Sequence, residues 1–168
     1  MELNVSETEQ KEITSFFYRI LIPRPIAWVS TRSKDGIDNL APFSFYGGVA
    51  ANPPIVSLGI GRRAGKHKDT SQNLLDTGEC VINLTSVKLS EKMIKTSAEL
   101  PPEIDEFEIA GLEKSESTDV KPSRLNDAKV ALEGRLYRHL EVGNGPGDML
   151  LVEIVRIHID DDILDERG

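Results

Sequence analysis

The stretch that decides the fold reads Ile26-Ala-Trp-Val-Ser-Thr-Arg32, then Lys34-Asp-Gly36, then Asn39-Leu-Ala-Pro-Phe-Ser-Phe-Tyr-Gly-Gly-Val-Ala50. The first run is mostly apolar and contains three β-branched residues, Ile26, Val29 and Thr31, which is typical of a buried strand. The second run is a turn signal, and the third resumes an extended pattern. This stretch therefore predicts a β-hairpin.

Further strands are predicted outward from this hairpin. Pro53-Pro54 starts a strand over Ile55–Ile60, and Glu79–Leu84 reads as a buried strand. Two long strands, Lys129–Glu141 and Asp148–Asp160, are joined by the turn Gly143-Asn-Gly-Pro-Gly147. Six strands with a few helices indicate a mainly β fold, a small barrel with peripheral helices.

Three helices are expected around this barrel. Ser6 and Glu9 have the spacing of a capping box for a helix over Glu7–Tyr18, which we expect to pack on the barrel. A short helix over Thr70–Asp76 ends at Gly78, and Lys88–Ala98 is helical in composition. Glu99–Arg124 is acidic and proline-containing, and it reads as a long surface excursion that forms a lid or reaches a partner subunit.

Length and composition limit the class of protein. The 168 residues suit one domain over 1–168, and apolar residues occur along the whole chain. No apolar run approaches the length of a membrane span and the start lacks the features of a signal peptide, so we expect a soluble, cytoplasmic protein. A net charge of −8 argues against nucleic acid as a partner, and the single cysteine excludes an internal disulfide framework.

A positive cluster stands out in this acidic chain. Arg62, Arg63, Lys66, His67 and Lys68 fall within seven residues, between glycines and a helix that Asp69-Thr70 can cap. Glycines let the backbone approach a ligand, and a helix N-terminus favours an anion. The cluster predicts a site for a phosphate monoester, and the alternative is a solvated basic loop.

Five ordered runs resemble the flavin reductase-like family, which includes flavoredoxins and the flavin reductase components of two-component monooxygenases. The runs are Arg24–Thr31, Asn39–Ser44, Lys68–Asn73, Phe107–Leu112 and Ala131–Glu133. The resemblance implies an FMN-binding split β-barrel, a six-stranded antiparallel Greek key, that forms a homodimer with FMN near the subunit interface.

The resemblance also implies which residues bind FMN. Within Asn39–Ser44, main-chain groups of Leu40, Ala41 and Phe43 would follow the polar edge of the flavin ring, Pro42 would keep that edge extended, and Ser44 would donate from its hydroxyl. Lys68, Thr70 and Asn73 would hold the phosphate, with Lys66 and Arg62 farther out. The complete predicted set is Trp28, Ser30, Thr31, Asn39, Leu40, Ala41, Pro42, Phe43, Ser44, Ser57, Lys68, Thr70 and Asn73.

Several of these residues have a structural alternative. Trp28 is at least as well explained as a core aromatic, Ser30 and Thr31 could start a turn, and Ser57 could be satisfied by the backbone. Asp69 is expected to cap its helix rather than touch a dianion. Arg24 could bind the cofactor, a nicotinamide or an acid across a dimer, and these options stay open.

The resemblance implies NAD(P)H-dependent reduction of FMN by hydride transfer to flavin N5, with the reduced flavin serving a partner monooxygenase or redox protein. No residue need act as an acid or base, so none is assigned as catalytic, and no metal site is predicted. The alternatives are a flavoredoxin-like electron carrier without nicotinamide turnover and a non-enzymatic FMN-binding module.

Two departures from the family pattern accompany these expectations. Where members often carry a histidine near the start of the last long strand, this sequence has Asp148-Met149. The sequence ends at Gly168, where relatives commonly continue, so a C-terminal segment of the family is expected to be missing.

Overall fold

The structure is a computed structural model that describes residues 2–145 and 147–166. Its strands are β1 (Ala27–Arg32), β2 (Asp38–Phe43), β3 (Tyr46–Ala51), β4 (Pro54–Gly61), β5 (Glu79–Leu84), β6 (Lys114–Ser115), β7 (Arg124–Leu125), β8 (Val130–Val142) and β9 (Gly147–Ile159). Seven of the described strands form one sheet in the order β2-β1-β5-β8-β9-β4-β3, and β6 pairs with β7. Every pairing is antiparallel, so the predicted mainly β barrel is confirmed.

The barrel closes between β2 and β3, the two edge strands of the sheet. Only Ser44 and Phe45 separate them in sequence, and the Gly59 N–H donates to the Phe45 carbonyl at 2.7 Å. A Cβ at Gly59 would lie 2.9 Å from the Phe45 Cβ, so this close approach requires glycine. The corner divides the expected strand Asn39–Ala50 into two, and the described sheet therefore has seven strands rather than six.

Most buried apolar side chains of the strands belong to two clusters, and a third, smaller cluster lies around Val81. Ala27 and Val29 face the barrel interior with Leu58, Ile82 and Leu150. On the opposite face of the sheet, Trp28 and Leu40 pack with Phe107, Leu89, Ala110, Leu112 and Leu125. This second cluster forms because alternate residues of a strand point to opposite faces.

Four helices surround the barrel in the described part of the chain: α1 (Gln10–Ile20), α2 (Asp69–Thr77), α3 (Ser90–Lys95) and α4 (Glu106–Ala110). The predicted helix at α2 is confirmed, and Gly78 ends it in the left-handed conformation. α3 is shorter than predicted. None of these helices is long and apolar enough to span a membrane.

Two expectations about the surface elements are wrong, namely the capping box at Ser6 and the long surface excursion over Glu99–Arg124. The capping box at Ser6 does not form, because both its N–H and its hydroxyl donate to Asn4 Oδ1 and the helix begins later. No residue of α1 is buried, although Tyr18 stacks on Phe45 at 5.0 Å between ring centroids. The segment from Glu99 to Arg124 is not a bare excursion, since α4 places the fully buried Phe107 against the barrel.

Candidate functional site

A cavity of about 410 Å³ lies beside β2. Its first wall is β2 itself, from Asn39 to Phe43. The second wall is the loop that joins β4 to α2, together with the first turn of α2. The third wall is residues 96–102 with Glu106 of α4. The cavity thus lies where three separate chain segments meet, as ligand sites often do.

The second wall is strongly basic. Arg63, Lys66, His67 and Lys68 all line the cavity. Lys68 is the residue that precedes α2, and no side chain caps this helix, so its first-turn N–H groups have no side-chain acceptor among the described residues. The Lys68 ammonium also lies 5.9 Å from the centre of the Phe43 ring on the first wall. Cationic groups and a helix N-terminus on one wall favour an anionic ligand.

The third wall carries carboxyl groups. Glu99 forms an ion pair with Arg63, which joins the two walls across the cavity. Glu106 is almost fully buried, and its Oε2 accepts from the Leu40 N–H at 2.9 Å. Burial raises the pKa of Glu106. Burial also raises the pKa of Asp69, which lies on the second wall in the first turn of α2. Both groups therefore favour the neutral form more than an exposed carboxyl does.

A buried polar network supports the wall formed by β2 and α2. Asn39 Nδ2 donates to the hydroxyls of Thr70 and Thr31, at 2.9 and 3.4 Å. Asn73 Nδ2 donates to the same Thr31 hydroxyl at 3.2 Å. Asn39 and Thr70 line the cavity, whereas Thr31 and Asn73 lie behind its wall. The hydrogen bonds of Thr31 and Asn73 therefore support the residues that line the cavity.

The structure brings together part of the predicted FMN-binding set. The members that line the cavity are Asn39, Ala41, Pro42, Phe43, Lys68 and Thr70. Leu40 faces the second apolar cluster and offers its main-chain N–H to Glu106. Asp69 is the first residue of α2. Its side chain was expected to cap this helix, but it does not.

The remaining predicted residues lie away from the cavity. The Trp28 indole N–H donates to Thr96 at 2.8 Å, so Trp28 supports the third wall from within the core. The hydroxyls of Ser30 and Ser57 donate to the Ser123 and Gly47 carbonyls. Ser44 accepts from Arg24 Nε at 3.3 Å.

Arg24 and Arg62 are engaged elsewhere. Arg24 also donates to the Tyr18 carbonyl at 2.8 Å, which ties the end of α1 to the corner between β2 and β3. Arg62 pairs with Asp148 and Glu141 and does not line the cavity. It is Arg63, and not Arg62, that contributes its charge to the second wall.

Sequence reasoning missed a buried cluster centred on Asp148. The carboxylate of this residue contacts Arg62, His67 and His139, and its side chain is fully buried. Burial acts to raise the pKa of Asp148, but the hydrogen bonds from these three groups outweigh it and lower the pKa to about 2. An acid inside an apolar strand was a usable signal, because a buried carboxylate requires partners.

Comparison with known proteins gives concordant results. The flavin reductase like domain matches residues 17–167. An uncharacterized protein of Aquifex aeolicus is 43% identical over 170 residues, which cover 99% of this chain and 85% of that protein.

Two solved structures are similar over almost the whole chain. Nitrilotriacetate monooxygenase component B from Bacillus cereus has a TM-score of 0.95 and 32% identity, covering 99% of this chain and 84% of its own. The 2-nitrobenzoate 2-nitroreductase of Pseudomonas fluorescens has a TM-score of 0.89 and 25% identity, with coverage of 99% and 80%.

Proposed function

Because this chain belongs to the flavin reductase-like domain family, we propose that it is an FMN-binding oxidoreductase that reduces FMN with NAD(P)H. Its family and its similar structures support a flavin-related oxidoreductase. One observation carries the proposal that the flavin is FMN and is reduced by NAD(P)H. The basic second wall and the extended edge of β2 line the same cavity.

The residues present fit FMN. A phosphate monoester needs cationic donors, and Lys66 and Lys68 lie beside the uncapped N-terminus of α2. A flat ring with a polar edge needs an apolar surface and main-chain groups, which Ala41, Pro42 and Phe43 provide along β2. The cavity volume of about 410 Å³ lies within the range of small-molecule sites.

In this proposal the protein binds and orients the cofactor. FMN, when bound, supplies the hydride acceptor. Lys68 and the first turn of α2 fix the phosphate end, and β2 fixes the ring. The Leu40 N–H is occupied by Glu106, so the contacts to the ring are assigned to Ala41–Phe43. Trp28, Thr31 and Asn73 act behind the wall by holding Thr96 and Asn39 in place.

The partner of the reduced flavin is proposed from the structural comparison. Component B of nitrilotriacetate monooxygenase is by its name one part of a multicomponent monooxygenase, and its fold is very similar to that of this chain. This similarity favours a reductase that serves a separate monooxygenase over a flavoredoxin-like electron carrier.

A homodimer is proposed from exposed apolar side chains. The end of α1 and the residues after it expose Ile20 and Ile22, each by 70%, and β9 exposes Ile157 by 57%. Apolar surface of this kind on a folded chain favours association, and a second copy is the commonest occupant. Light scattering on the purified protein tests this, with a mass near twice 18.6 kDa expected.

The function is tested by an absorbance spectrum with and without added FMN, followed by anaerobic addition of NADH or NADPH. A bound flavin band that bleaches rapidly with a pyridine nucleotide is the expected result. A bound flavin that stays oxidised would instead identify an electron carrier. Absence of a flavin band after reconstitution would contradict FMN binding altogether.

The phosphate site is tested by Lys68→Glu. Loss of a charge-assisted contact should weaken FMN by roughly ten- to a hundredfold and leave riboflavin almost unchanged. Lys88→Glu makes the same charge change at an exposed residue outside the cavity and serves as the control. An equal loss for both flavins in the first variant would place the phosphate elsewhere.

A further inference from the structure

The buried carboxylate of Asp148 joins three segments of the chain. Its Oδ1 accepts from His139 Nε2 at 2.8 Å and from Arg62 Nη2 at 3.0 Å. Its Oδ2 accepts from His67 Nδ1 at 2.8 Å. These contacts connect β9 to β8 and to the loop between β4 and α2. One side chain therefore fixes the base of the basic cavity wall.

The ion pair with Arg62 keeps Asp148 ionised, and an ionised carboxylate only accepts hydrogen bonds. Both histidines must then donate, so the proton on His67 lies on Nδ1. Among residues 2–145 and 147–166, no group forms a hydrogen bond with His67 Nε2. His67 lines the cavity, whereas His139 does not. Nε2 is thus the ring nitrogen available to a ligand.

We propose that Asp148 is a positioning residue that holds the imidazole of His67, so that His67 Nε2 binds a phosphate group of the ligand in the cavity. In its protonated form the ring donates from both nitrogens, to Asp148 and to the phosphate. Lys66 and Lys68 lie on the same wall and add positive charge. Arg62 already supplies the cation that the buried carboxylate needs. This inference rests on the proposed flavin site.

The first test compares His67→Gln with His139→Gln. The two histidines contact the same carboxylate at the same distance, but only the first lines the cavity. Titrations with FMN and riboflavin should show that His67→Gln weakens FMN roughly tenfold and leaves riboflavin unchanged. His139→Gln should keep the wild-type ratio of the two affinities.

The same variants identify the source of the phosphate. If His67→Gln keeps the flavin ratio but raises KM for NADH and NADPH at constant kcat, the phosphate belongs to the pyridine nucleotide and the inference stands. If the flavin ratio and both KM values are unchanged, His67 binds no phosphate and the inference is wrong, although the flavin site remains. A wild-type protein without flavin binding would remove the proposed function and this inference together.

The second test isolates the role of Asp148. Asp148→Asn should lower FMN affinity in the wild-type background, but by less than about twofold in the His67→Gln background, because the two residues act through one contact. Nitrogen-15 spectra of the imidazole should show His67 protonated at Nδ1 in the wild type and altered in Asp148→Asn. Equal losses in both backgrounds, or an unchanged His67 spectrum, would contradict the positioning role. If Asp148→Asn does not fold, the wild-type spectrum and the histidine pair decide the question.

Discussion

Two fully buried carboxylates, Asp148 on β9 and Glu133 on β8, fix loops to the same barrel by different means. Asp148 binds side chains, namely Arg62, His67 and His139. Glu133 binds mainly backbone. Its oxygens accept from the N–H groups of two consecutive loop residues, at 2.7 and 2.6 Å, and from one histidine at 2.6 Å.

The difference lies in what remains available beside the cavity. The loop attached by Asp148 is the basic wall, and His67 lines the cavity. The loop attached by Glu133 contains Thr118 and Asp119. Neither of these residues lines the cavity, and His158 does not line it either. Both carboxylates have a lowered pKa despite burial, because their hydrogen bonds favour the charged form. A buried carboxylate is thus a way to anchor a loop, and its partners determine whether the anchor also serves a ligand.

The largest effect is expected for Asp148→Ala. This change leaves Arg62 without its buried partner and frees the basic loop, so the free energy of unfolding should fall by about 3 to 5 kcal/mol. Urea unfolding followed by circular dichroism measures it. Flavin affinity should fall in the same variant, and a loss of stability with wild-type FMN affinity would separate the loop anchor from the site.

A somewhat smaller effect is expected for Glu133→Ala. The Thr118 and Asp119 N–H groups lose their acceptor, which should cost about 2 to 4 kcal/mol of unfolding free energy. The affinity for FMN, measured on the folded fraction by fluorescence titration, should remain at the wild-type value. A marked loss of FMN affinity would show that the two anchors are not separate.

Some elements of the fold were predicted more accurately from the sequence than others. Elements that depend on neighbouring residues were predicted well, and features that depend on contacts between distant residues were not. Apolar runs predicted β1 and β5, and Gly78 predicted the end of α2. The predicted bounds of these elements lie within one or two residues of the observed ones. No local turn pattern predicts the break between β2 and β3 at Ser44 and Phe45. The chain bends there because the Phe45 carbonyl accepts from the Gly59 N–H where the barrel closes. Local pattern alone could not show that contact.

The site shows the same limit. Contiguous motifs placed Pro42 and Lys68 at one cavity, but they did not distinguish side chains that face the cavity from those that face away from it. Thr31 and Asn73 carry suitable hydroxyl and amide groups, yet they bond to each other behind the wall. The contact between His67 and Asp148 joins residues 81 positions apart, and it depends on the packing of the loop on β9.

Acid stability gives a third way to test the comparison. The ordinary pKa of an aspartate is 3.8 and that of folded Asp148 is about 2, so its stabilisation is present above the ordinary value and is lost as the pH falls towards 2. The lost free energy is about 2 kcal/mol. Unfolding free energies measured between pH 5 and pH 2 should decrease less steeply in Asp148→Asn than in the wild type. An identical slope would contradict the ion cluster.

The smallest effect is expected at Glu106, a buried carboxyl with no cationic partner among the described residues. Burial raises its folded pKa, so the folded protein favours the protonated form, and the associated stability is lost as the pH rises through that raised value. Glu106→Gln removes this charge while its amide oxygen can still accept from the Leu40 N–H. The variant should therefore gain stability relative to the wild type between pH 4 and pH 8, opposite in direction to the effect at Asp148. Thermal melts across this range measure the difference, and a relative loss at pH 8 would mean that the ionised carboxylate has a stabilising partner in the cavity.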